Sequence, residues 1–318
     1  MGTVMVTGGA GFIGSHTVEL LVDEGYDVIV VDNLSSGSWS NLAGLLNGPV
    51  KLVKVDVASW TSLWSRLKTS LRDQEIDGII HLAAVVSIVE ARRRPWKTLR
   101  VNVEGVANIL EAARRLDIER IIFASSAAVY GEPRQIPIAE DHELMPMNLY
   151  GETKLMGERL LWRYMEDYGL KPIALRYFNV YGPKMRPGPY SGVVYKFISA
   201  VASGSQPIIY GDGRQTRDFI YVRDVASANR LALESRYTGP VNIGSGRETS
   251  VLELYRIICR LAGRCMDPVF RPPRKGDISR STASIGLAYK VLGWRPVTSL
   301  EEGLKATIKY YIGQGAKQ

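Results

Sequence analysis

A tyrosine and a lysine lie four residues apart in the segment YGETK, at Tyr150 and Lys154. The surrounding pattern predicts a helix over 149–169, so both side chains would share one helix face. Tyrosine ordinarily ionises near pH ~10, and a nearby ammonium group lowers that pKa by stabilising the phenolate. The pair is therefore a candidate general base. Alone it is weak evidence, because this spacing also occurs by coincidence on helix surfaces.

A serine-rich turn precedes this helix. The stretch FASSAAVYG, residues 123–131, follows the apolar run RIIF, which is typical of a buried strand. One interpretation is a tight turn leaving a sheet. The other is a shelf that presents a serine hydroxyl to a substrate.

Three glycines near the N-terminus, Gly8, Gly11 and Gly14, lie in TGGAGFIGS between a predicted strand and a predicted helix. Glycine allows a tight turn and lets backbone N–H groups approach a pyrophosphate, which the helix dipole also attracts. We expect a dinucleotide site here.

Two aspartates end the next predicted strands. Asp32 is placed to accept hydrogen bonds from an adenosine ribose, and its charge would repel a 2′-phosphate, so the sequence favours NAD over NADP. Asp56 follows the third strand and is a candidate contact for the adenine edge.

Short apolar runs alternate with amphipathic stretches in the N-terminal half. The runs predict strands at 3–8, 27–32, 51–57, 77–84, 120–126 and 172–182. The amphipathic stretches predict helices at 16–25, 59–71, 96–116 and 149–169. This alternation is typical of βαβ units, so we expect an α/β fold with a doubly wound parallel sheet of the Rossmann type.

The pattern changes after Gly182, where Gly, Pro and Tyr become frequent. The segment 217–235 again predicts a strand and a helix, which we expect to rejoin the first sheet. We expect a Rossmann domain and a smaller C-terminal α/β substrate domain, divided as 1–182 plus about 215–237, and about 183–214 plus 238–318.

The composition is that of an ordinary globular protein, with 318 residues, 46% hydrophobic and 23% charged. No apolar run approaches the about 20 residues that cross a bilayer. The N-terminus predicts a strand and a turn rather than a signal peptide. We therefore expect a cytoplasmic protein without a membrane partner.

The net charge is +8 and the pI about 9.4, a balance that sometimes marks nucleic-acid binding. Here the basic residues are dispersed, and we expect no nucleic-acid partner. We interpret the one dense cluster, Arg92–Arg94, as a solvated helix end, and an anionic small substrate would also suit this charge. Cys259 and Cys265 form neither a disulfide framework nor a metal quartet, and the three histidines are scattered, so we expect no metal site.

The motifs GGAGFIG, DNL, HLAA, NVEG, SSAAVYG, YGETK and RYFNVYGP occur together. In this combination the chain resembles the extended short-chain dehydrogenase/reductase superfamily, and within it nucleotide-sugar 4-epimerases of the UDP-galactose (UDP-glucose) 4-epimerase type. The resemblance spans nearly the whole chain. It implies an NAD-binding first domain, a nucleotide-sugar-binding second domain, a UDP-hexose substrate and a transient 4-keto sugar.

The resemblance also implies roles for individual residues. Tyr150 would be the base for the sugar 4-hydroxyl, Lys154 would bind the nicotinamide ribose, and Ser126 would bridge Tyr150 and the sugar oxygen. Cofactor contacts are expected from Gly8, Gly11, Phe12, Ile13, Gly14, Asp32, Asn33, Asp56, Val57, Leu82, Ala83, Ala84, Asn102, Tyr150, Lys154 and Tyr177. Substrate contacts are expected from Ser126, Tyr150, the diphosphate ligands Asn179, Arg217 and Arg274, the uridine ribose ligand Asp277, and Ser281.

The family further implies a homodimer formed by the helix near 96–116 and the Tyr150 helix. Apolar residues available for this contact on the second helix are Leu155, Leu160, Leu161, Trp162 and Met165. The alternative is that they face only the sheet of their own chain.

The chain departs from its relatives at informative positions. Related dehydratases and decarboxylases carry an acid two residues before the turn tyrosine, and often another directly before that one, because elimination needs a carboxyl group to move protons. Here Ala127 and Ala128 occupy these positions, which argues against dehydration. Val86 replaces a frequent lysine. Ser281 replaces a tyrosine of members restricted to unsubstituted sugars, so we expect UDP-N-acetylglucosamine and its galacto epimer to be accepted as well.

Other functions remain open from sequence. One is UDP-glucuronate 4-epimerisation, reduction at C4, or another nucleotide-sugar oxidoreduction. Another is a non-catalytic member that binds NAD or RNA, although the intact glycine turn and the Tyr150–Lys154 pair argue against it.

Overall fold

The computed structural model of the protein describes residues 2–46, 48–71, 74–186, 191–274 and 276–315. Its strands are β1 (Thr3–Thr7), β2 (Asp27–Asp32), β3 (Val50–Lys54), β4 (Gly78–His81), β5 (Arg120–Ser126), β6 (Lys171–Tyr177), β7 (Asn179–Tyr181), β8 (Ile208–Tyr210), β9 (Thr216–Arg217), β10 (Phe219–Tyr221), β11 (Gly239–Ile243), β12 (Thr249–Ser250) and β13 (Val269–Arg271). Its helices are α1 (Phe12–Asp23), α2 (Trp60–Ser70), α3 (Ile88–Arg93), α4 (Pro95–Leu99), α5 (Gly105–Arg115), α6 (Leu149–Tyr168), α7 (Val193–Ser203), α8 (Val222–Glu234), α9 (Val251–Ala262), α10 (Gly286–Leu292) and α11 (Leu300–Gly315). Short 3₁₀ helices cover Trp39–Leu45 and Ala127–Val129, and a π-helical segment, Arg100–Glu104, joins α4 to α5. Within the described residues, none of these helices has both the length and the apolar character needed to cross a membrane.

Among the described residues, seven parallel strands form the central sheet, in the order β11-β6-β5-β4-β1-β2-β3. The chain builds outward from β1 in one direction through β2 and β3, and in the other through β4, β5 and β6. This reversal defines a doubly wound sheet of the Rossmann type. The predicted fold class is confirmed.

Helices cover both faces of this sheet, which is why its strands are continuous apolar runs. On one face, Val4 and Val28 pack with α1 and α8. On the other, Met5 and Ile29 pack with α2, α5 and α6. Because successive strand residues point to opposite faces, each strand supplies both cores. Polar side chains are therefore left for the strand ends.

The later part of the chain differs from the predicted division at two places. The segment 217–235 adds no strand to the first sheet, since β10 pairs with β7 in a separate two-stranded sheet. Instead β11, assigned from sequence to the second domain, pairs with β6 at the sheet edge. The reason is that α8 is the crossover helix that a parallel neighbour of β6 requires. Helix α10 packs in the same core as α8, whereas α7, α9 and α11 share another. The two-domain division otherwise stays a prediction.

Cys259 and Cys265 form a single disulfide that ties α9 to the turn after it. Two cysteines in one short segment do not predict a disulfide framework, and their spacing predicts no pairing. Gly263 ends α9 in the left-handed conformation and turns the chain back, so that the two Cα atoms lie 4.8 Å apart. The spacing of the cysteines alone does not reveal this reversal.

Helix α6 approaches the end of β5 closely because glycines face the sheet. A Cβ at Gly157 would lie 2.7 Å from Cζ of Phe123, and one at Gly151 would lie 2.5 Å from the carbonyl oxygen of Ala128. A side chain at either position would push the helix outward. These glycines therefore set how near Tyr150 comes to the end of β5.

Replacing Gly157 with alanine tests this close approach. Alanine favours a helix by about 1 kcal/mol over glycine, but here the added methyl group overlaps Phe123. We expect the free energy of unfolding to fall by about 1–3 kcal/mol, measured by denaturant unfolding. Gly286→Ala is the matched control, because nothing lies within 4 Å of a Cβ at Gly286, and it should be neutral or stabilising. Equal stability of Gly157→Ala and the wild type would contradict the packing described.

Candidate active site

A cavity of about 950 Å³ runs along the carboxyl end of the central sheet. Its walls are the segments that follow β1, β2, β3, β4, β5 and β6, so strands distant in sequence contribute to one place. Of the site residues predicted from sequence, all but Asn102 and Arg274 line it.

The turn after β1 requires two of its glycines. Gly8 has a φ of 68°, and a Cβ there would lie 2.8 Å from the amide nitrogen of Ala83. A Cβ at Gly14 would lie 2.1 Å from the carbonyl oxygen of Gly8. Helix α1 begins after Gly11, and no described side chain caps its first N–H groups. These N–H groups and the helix dipole suit a pyrophosphate.

Asp32, at the end of β2, keeps acceptor capacity for a ligand. Its Oδ2 accepts from the N–H of Ala10 at 3.1 Å and its Oδ1 from that of Leu34 at 2.7 Å. A carboxylate has about four acceptor positions, so both oxygens have one left. Burial raises the pKa of Asp32, and these backbone hydrogen bonds oppose the rise. Asp56 also lines the cavity and accepts from the N–H of Ala58 at 2.9 Å.

Ser126 and Tyr150 meet where β5 ends against the start of α6. Asn148 caps this helix, its Oδ1 accepting from the N–H of Gly151 at 3.0 Å, which fixes the first turn. Tyr150 and Ser126 line the same cavity, and the Ser126 hydroxyl opposes the rise that burial causes in the pKa of Tyr150. The Ser126 Oγ also accepts from the N–H of Ala128 at 3.2 Å. The structure thus brings the serine shelf and the helical tyrosine together.

Lys154 is buried one turn further along α6. Its Nζ donates to the carbonyl oxygen of Ala124 at 2.7 Å and lies 6.0 Å from the centre of the Tyr150 ring. Burial lowers the pKa of Lys154 to about 7, which Glu158 partly opposes.

The sequence argument expected Lys154 to lower the pKa of Tyr150, and the structure differs. Burial raises the pKa of Tyr150, and the group that opposes this rise is Ser126. The Lys154 ammonium is itself desolvated, and it donates its hydrogen bond to the carbonyl oxygen of Ala124 rather than to the phenol oxygen.

Asn102 lies behind the cavity wall, in the π-helical segment. Its Oδ1 accepts from the N–H of Val85 at 2.8 Å, and its Nδ2 donates to the carbonyl oxygen of Val85 and to Oγ1 of Thr153, both at 3.0 Å. Both amide N–H groups are therefore used within the protein. Predicted as a cofactor contact, Asn102 instead ties the loop after β4 to α6.

The substrate side of the cavity contains Asn179, Arg217, Asp277 and Ser281. Arg217 and Asp277 form an ion pair, and Nη1 of Arg217 donates to the carbonyl oxygen of Thr216 at 2.7 Å. The predicted diphosphate ligand and the predicted ribose ligand therefore bind each other. Ser281 is buried against this wall.

Arg274 lies outside the cavity lining, contrary to its assignment as a diphosphate ligand. Its guanidinium stacks on the ring of Tyr210, 3.8 Å from the ring centre. This cation–π contact holds the side chain toward β8. The hydrogen bond and charge of Arg274 lower the pKa of Tyr210.

Several lining residues were missed from sequence. The chain from the end of β4 to the first residue of the π-helical segment contributes Arg94, Trp96, Lys97 and Arg100. Arg94 belongs to the cluster that the sequence analysis interpreted as a solvated helix end. The sequence did contain a signal for these lining residues, because their segment follows HLAA, the carboxyl end of a predicted strand.

The comparisons with known proteins define the class of enzyme. Residues 4–244 match the model of the NAD dependent epimerase/dehydratase family, so the chain belongs to that family, and the resemblance found in its motifs is confirmed. The chain is 40% identical to a putative UDP-glucose 4-epimerase of Methanocaldococcus jannaschii, over 96% of this chain and 97% of that protein. A solved UDP-N-acetylglucosamine 4-epimerase from Methanobrevibacter ruminantium, in complex with UDP-N-acetylmuramic acid, is 37% identical with a TM-score of 0.92, covering 98% of this chain and 99% of that one. A UDP-glucuronic acid decarboxylase 1 from Xenopus tropicalis is 34% identical, over 97% of this chain and 72% of its own length.

The chain is an NAD-dependent enzyme of the epimerase type. The residues that line the cavity are chemically suited to bind NAD. The start of α1 would hold the pyrophosphate, Asp32 the adenosine ribose, and Asp56 the adenine edge. A carboxylate at position 32 repels a 2′-phosphate, so this donor set fits NAD rather than NADP.

Exchanging Asp32 for asparagine tests the ribose contact, because it keeps the shape and removes the charge. We expect NAD to bind about 10-fold to 100-fold more weakly and the preference for NAD over NADP to shrink, both measured by calorimetric titration. Asp27→Asn, at the exposed start of β2, is the matched control and should leave both affinities unchanged. An unaltered NAD-to-NADP ratio in Asp32→Asn would contradict the assignment.

Proposed function

We propose that this enzyme epimerises C4 of a UDP-hexose, interconverting UDP-galactose and UDP-glucose through a transient 4-keto sugar. The observation that carries the proposal is that Ser126, Tyr150 and Lys154 line the same cavity as the glycine turn and Arg217. A positioned hydroxyl base beside a dinucleotide site suits oxidation and re-reduction of a single carbon.

Proton transfer falls to Tyr150, which takes the proton of the sugar 4-hydroxyl. Ser126 holds the sugar oxygen and the Tyr150 oxygen in hydrogen-bonding reach of each other. Lys154, with a pKa of about 7, is partly protonated at neutral pH and would bind the nicotinamide ribose, while the Ser126 hydroxyl opposes the rise that burial causes in the pKa of Tyr150. The glycine turn and Asp32 would hold NAD, which would supply a reversible hydride acceptor for C4, so no reductant would be consumed. Inversion requires the 4-keto sugar to turn over within the cavity before the hydride returns.

Asn179 and Arg217 would bind the diphosphate from the cavity wall. Arginine suits this role because its planar N–H groups form charge-assisted hydrogen bonds with phosphate oxygens. Arg217 would exchange Asp277 for the diphosphate, which frees the Asp277 carboxylate for the uridine ribose. Arg274 would have to leave Tyr210 to join this clamp.

Ala127 and Ala128 support epimerisation over dehydration. Both line the cavity at the place where related dehydratases use an acid, and a methyl group transfers no proton. UDP-glucuronate is the alternative substrate for the same C4 chemistry. It is favoured by the similarity to a UDP-glucuronic acid decarboxylase and by Arg186, a cavity-lining cation that would suit a C6 carboxylate.

N-acetylated sugars belong to the proposal as further substrates. Ser281 is buried and lines the cavity, so its small side chain leaves space there. The solved relative with 37% identity is a UDP-N-acetylglucosamine 4-epimerase.

We also propose a homodimer through α4, α5 and α6. Two of the apolar residues assigned to this contact, Leu155 and Leu161, are buried in cores of their own chain and are excluded from it. The large apolar and aromatic residues that are exposed on these helices are Trp96, Met156 and Tyr168, at 72%, 39% and 53%. A cytoplasmic location stays a prediction, and the Cys259–Cys265 disulfide is of a kind that is rare in cytosolic proteins.

Tyr150→Phe removes the base and keeps the ring. We expect turnover of UDP-galactose to fall by at least about 100-fold while the protein still binds NAD, followed by a coupled assay of UDP-glucose formation. Tyr168→Phe, on the same helix and exposed, is the control and should keep wild-type turnover. Retained activity in Tyr150→Phe would exclude this mechanism.

An assay of purified protein with single UDP-sugars identifies the substrate. The protein is incubated, without added NAD, with UDP-galactose, UDP-N-acetylgalactosamine or UDP-galacturonate, and the product is measured. We expect product from the first two. Ser281→Tyr should lose only the acetylated sugar, because the larger ring fills the space for the 2-N-acetyl group. Ser279→Tyr, outside the cavity lining, is the control. Complete inactivity of the wild type on the acetylated pair would refute the proposal that N-acetylated sugars are substrates. Product only from UDP-galacturonate would establish the alternative substrate.

A further inference from the structure

A buried ion pair behind the cavity joins α6 to β6. Arg176 donates to Glu158 twice, from Nη2 to Oε2 at 2.7 Å and from Nε to Oε1 at 2.9 Å. The two side chains are 3% and 1% exposed. Exchanging a buried ion pair for apolar residues is often neutral or stabilising, so stability alone does not account for it.

Two further hydrogen bonds connect this pair to the shelf that carries Ser126. Ser125 donates from Oγ to Oε1 of Glu158 at 2.5 Å, and Arg176 donates from Nη1 to the hydroxyl of Tyr130 at 2.9 Å. Ser125 directly precedes Ser126, and Tyr130 closes the turn that follows it. One ion pair therefore anchors both ends of the shelf.

Tyr130 is held from a second side as well. It is completely buried, and its hydroxyl donates to Oδ1 of Asn242 in β11 at 2.7 Å. Asn242 in turn donates from Nδ2 to the carbonyl oxygen of Ile138 at 2.9 Å. The shelf is thus connected to β6, β11 and α6 together, and it cannot move without breaking buried hydrogen bonds.

Glu158 of this pair lies on the face of α6 that carries the catalytic groups of the proposed function. Tyr150, Lys154 and Glu158 follow one another at intervals of one helical turn. The Glu158 carboxylate raises the pKa of Lys154 against the effect of burial. The Ser126 hydroxyl lowers the pKa of Tyr150. A displaced shelf would therefore alter the ionisation of the tyrosine.

We propose that Glu158 and Arg176 are positioning residues that act through Ser125 and Tyr130 to hold the Ser126 hydroxyl against Tyr150. This inference rests on the proposed function, in which Tyr150 is the base. Proton transfer tolerates little displacement, since a shift of about 1 Å costs about 100-fold in rate.

Tyr130→Phe and Ser125→Ala each remove one link and leave the ion pair intact. We expect kcat to fall about tenfold in each, with KM within about twofold of wild type. Ser125→Thr keeps the hydroxyl and should restore kcat. Tyr255→Phe is the matched control, because Tyr255 is also buried and its hydroxyl donates to the carbonyl oxygen of Met266, away from the cavity. A merely structural role would lower the melting temperature of both tyrosine variants alike and leave kcat unchanged.

A second readout needs no turnover. The pH at which Tyr150 ionises follows from the tyrosinate absorbance of each variant, compared with the same variant carrying Tyr150→Phe, with NAD present. The groups that face Tyr150 are Ser126 at the end of β5 and Lys154 on α6. Glu158 raises the pKa of Lys154, and the charge of Lys154 lowers the pKa of His81 on β4. Losing the Ser126 hydrogen bond should move the ionisation to higher pH in Tyr130→Phe and Ser125→Ala, as in Ser126→Ala.

The two readouts separate this inference from the proposed function. A wild type that converts no UDP-sugar would refute the proposed function, and shifted Tyr150 ionisation in the variants would still support the positioning role. Wild-type kcat in Tyr130→Phe and Ser125→Ala would overturn the inference, as would, in the absence of turnover, an unshifted ionisation of Tyr150.

Discussion

Burial of the seven-stranded parallel sheet on both faces is the constraint on which the rest of the molecule depends. Most residues in the middle of its strands face a core, so side chains that bind or react are concentrated at the carboxyl ends, where the strands give way to loops. The glycine turn, Asp32 and the serine shelf all occupy that edge. Helix α6 reaches the same edge only because Gly151 and Gly157 permit close contact. The position of Tyr150 therefore follows from how the sheet is covered.

The same burial determines the charge of the groups just behind the edge. It lowers the pKa of His81 to about 3, so this imidazole stays neutral and its Nδ1 is hydrogen-bonded to the Thr7 hydroxyl at 2.6 Å. It lowers the pKa of Lys154 to about 7, close to physiological pH. The Glu158 carboxylate opposes a further fall in the pKa of Lys154, and Arg176 forms an ion pair with Glu158. Burial and these neighbouring charges together place the pKa of the Lys154 ammonium group near physiological pH. The pKa of an exposed lysine lies well above that pH.

What the sequence predicts well is what depends on neighbouring residues. The glycine spacing, Asp32 at a strand end and the helical interval from Tyr150 to Lys154 are local patterns, and the structure places all of them in one cavity. Contacts between distant segments escape such patterns. Asn102 was predicted to contact the cofactor, but its side-chain amide forms hydrogen bonds with Val85 and Thr153. The edge strand β11 depends on the crossover made by α8, and the disulfide depends on a reversal at Gly263. The prediction that Lys154 lowers the pKa of Tyr150 was wrong, because the spacing of two residues does not show how deeply they are buried.

The arginines of the substrate side show why counting cations overstates affinity for a diphosphate. Arg217 is paired with Asp277, and Arg274 is stacked on Tyr210. In the proposed complex a diphosphate replaces these contacts rather than adding to them, so its net gain is the difference between two charged interactions. Substrate that offers both a diphosphate and a ribose satisfies Arg217 and Asp277 at once, whereas an inorganic phosphate leaves the carboxylate unpaired. The ion pair thus favours a complete nucleotide over a simple anion, a selectivity that arises from what binding must displace.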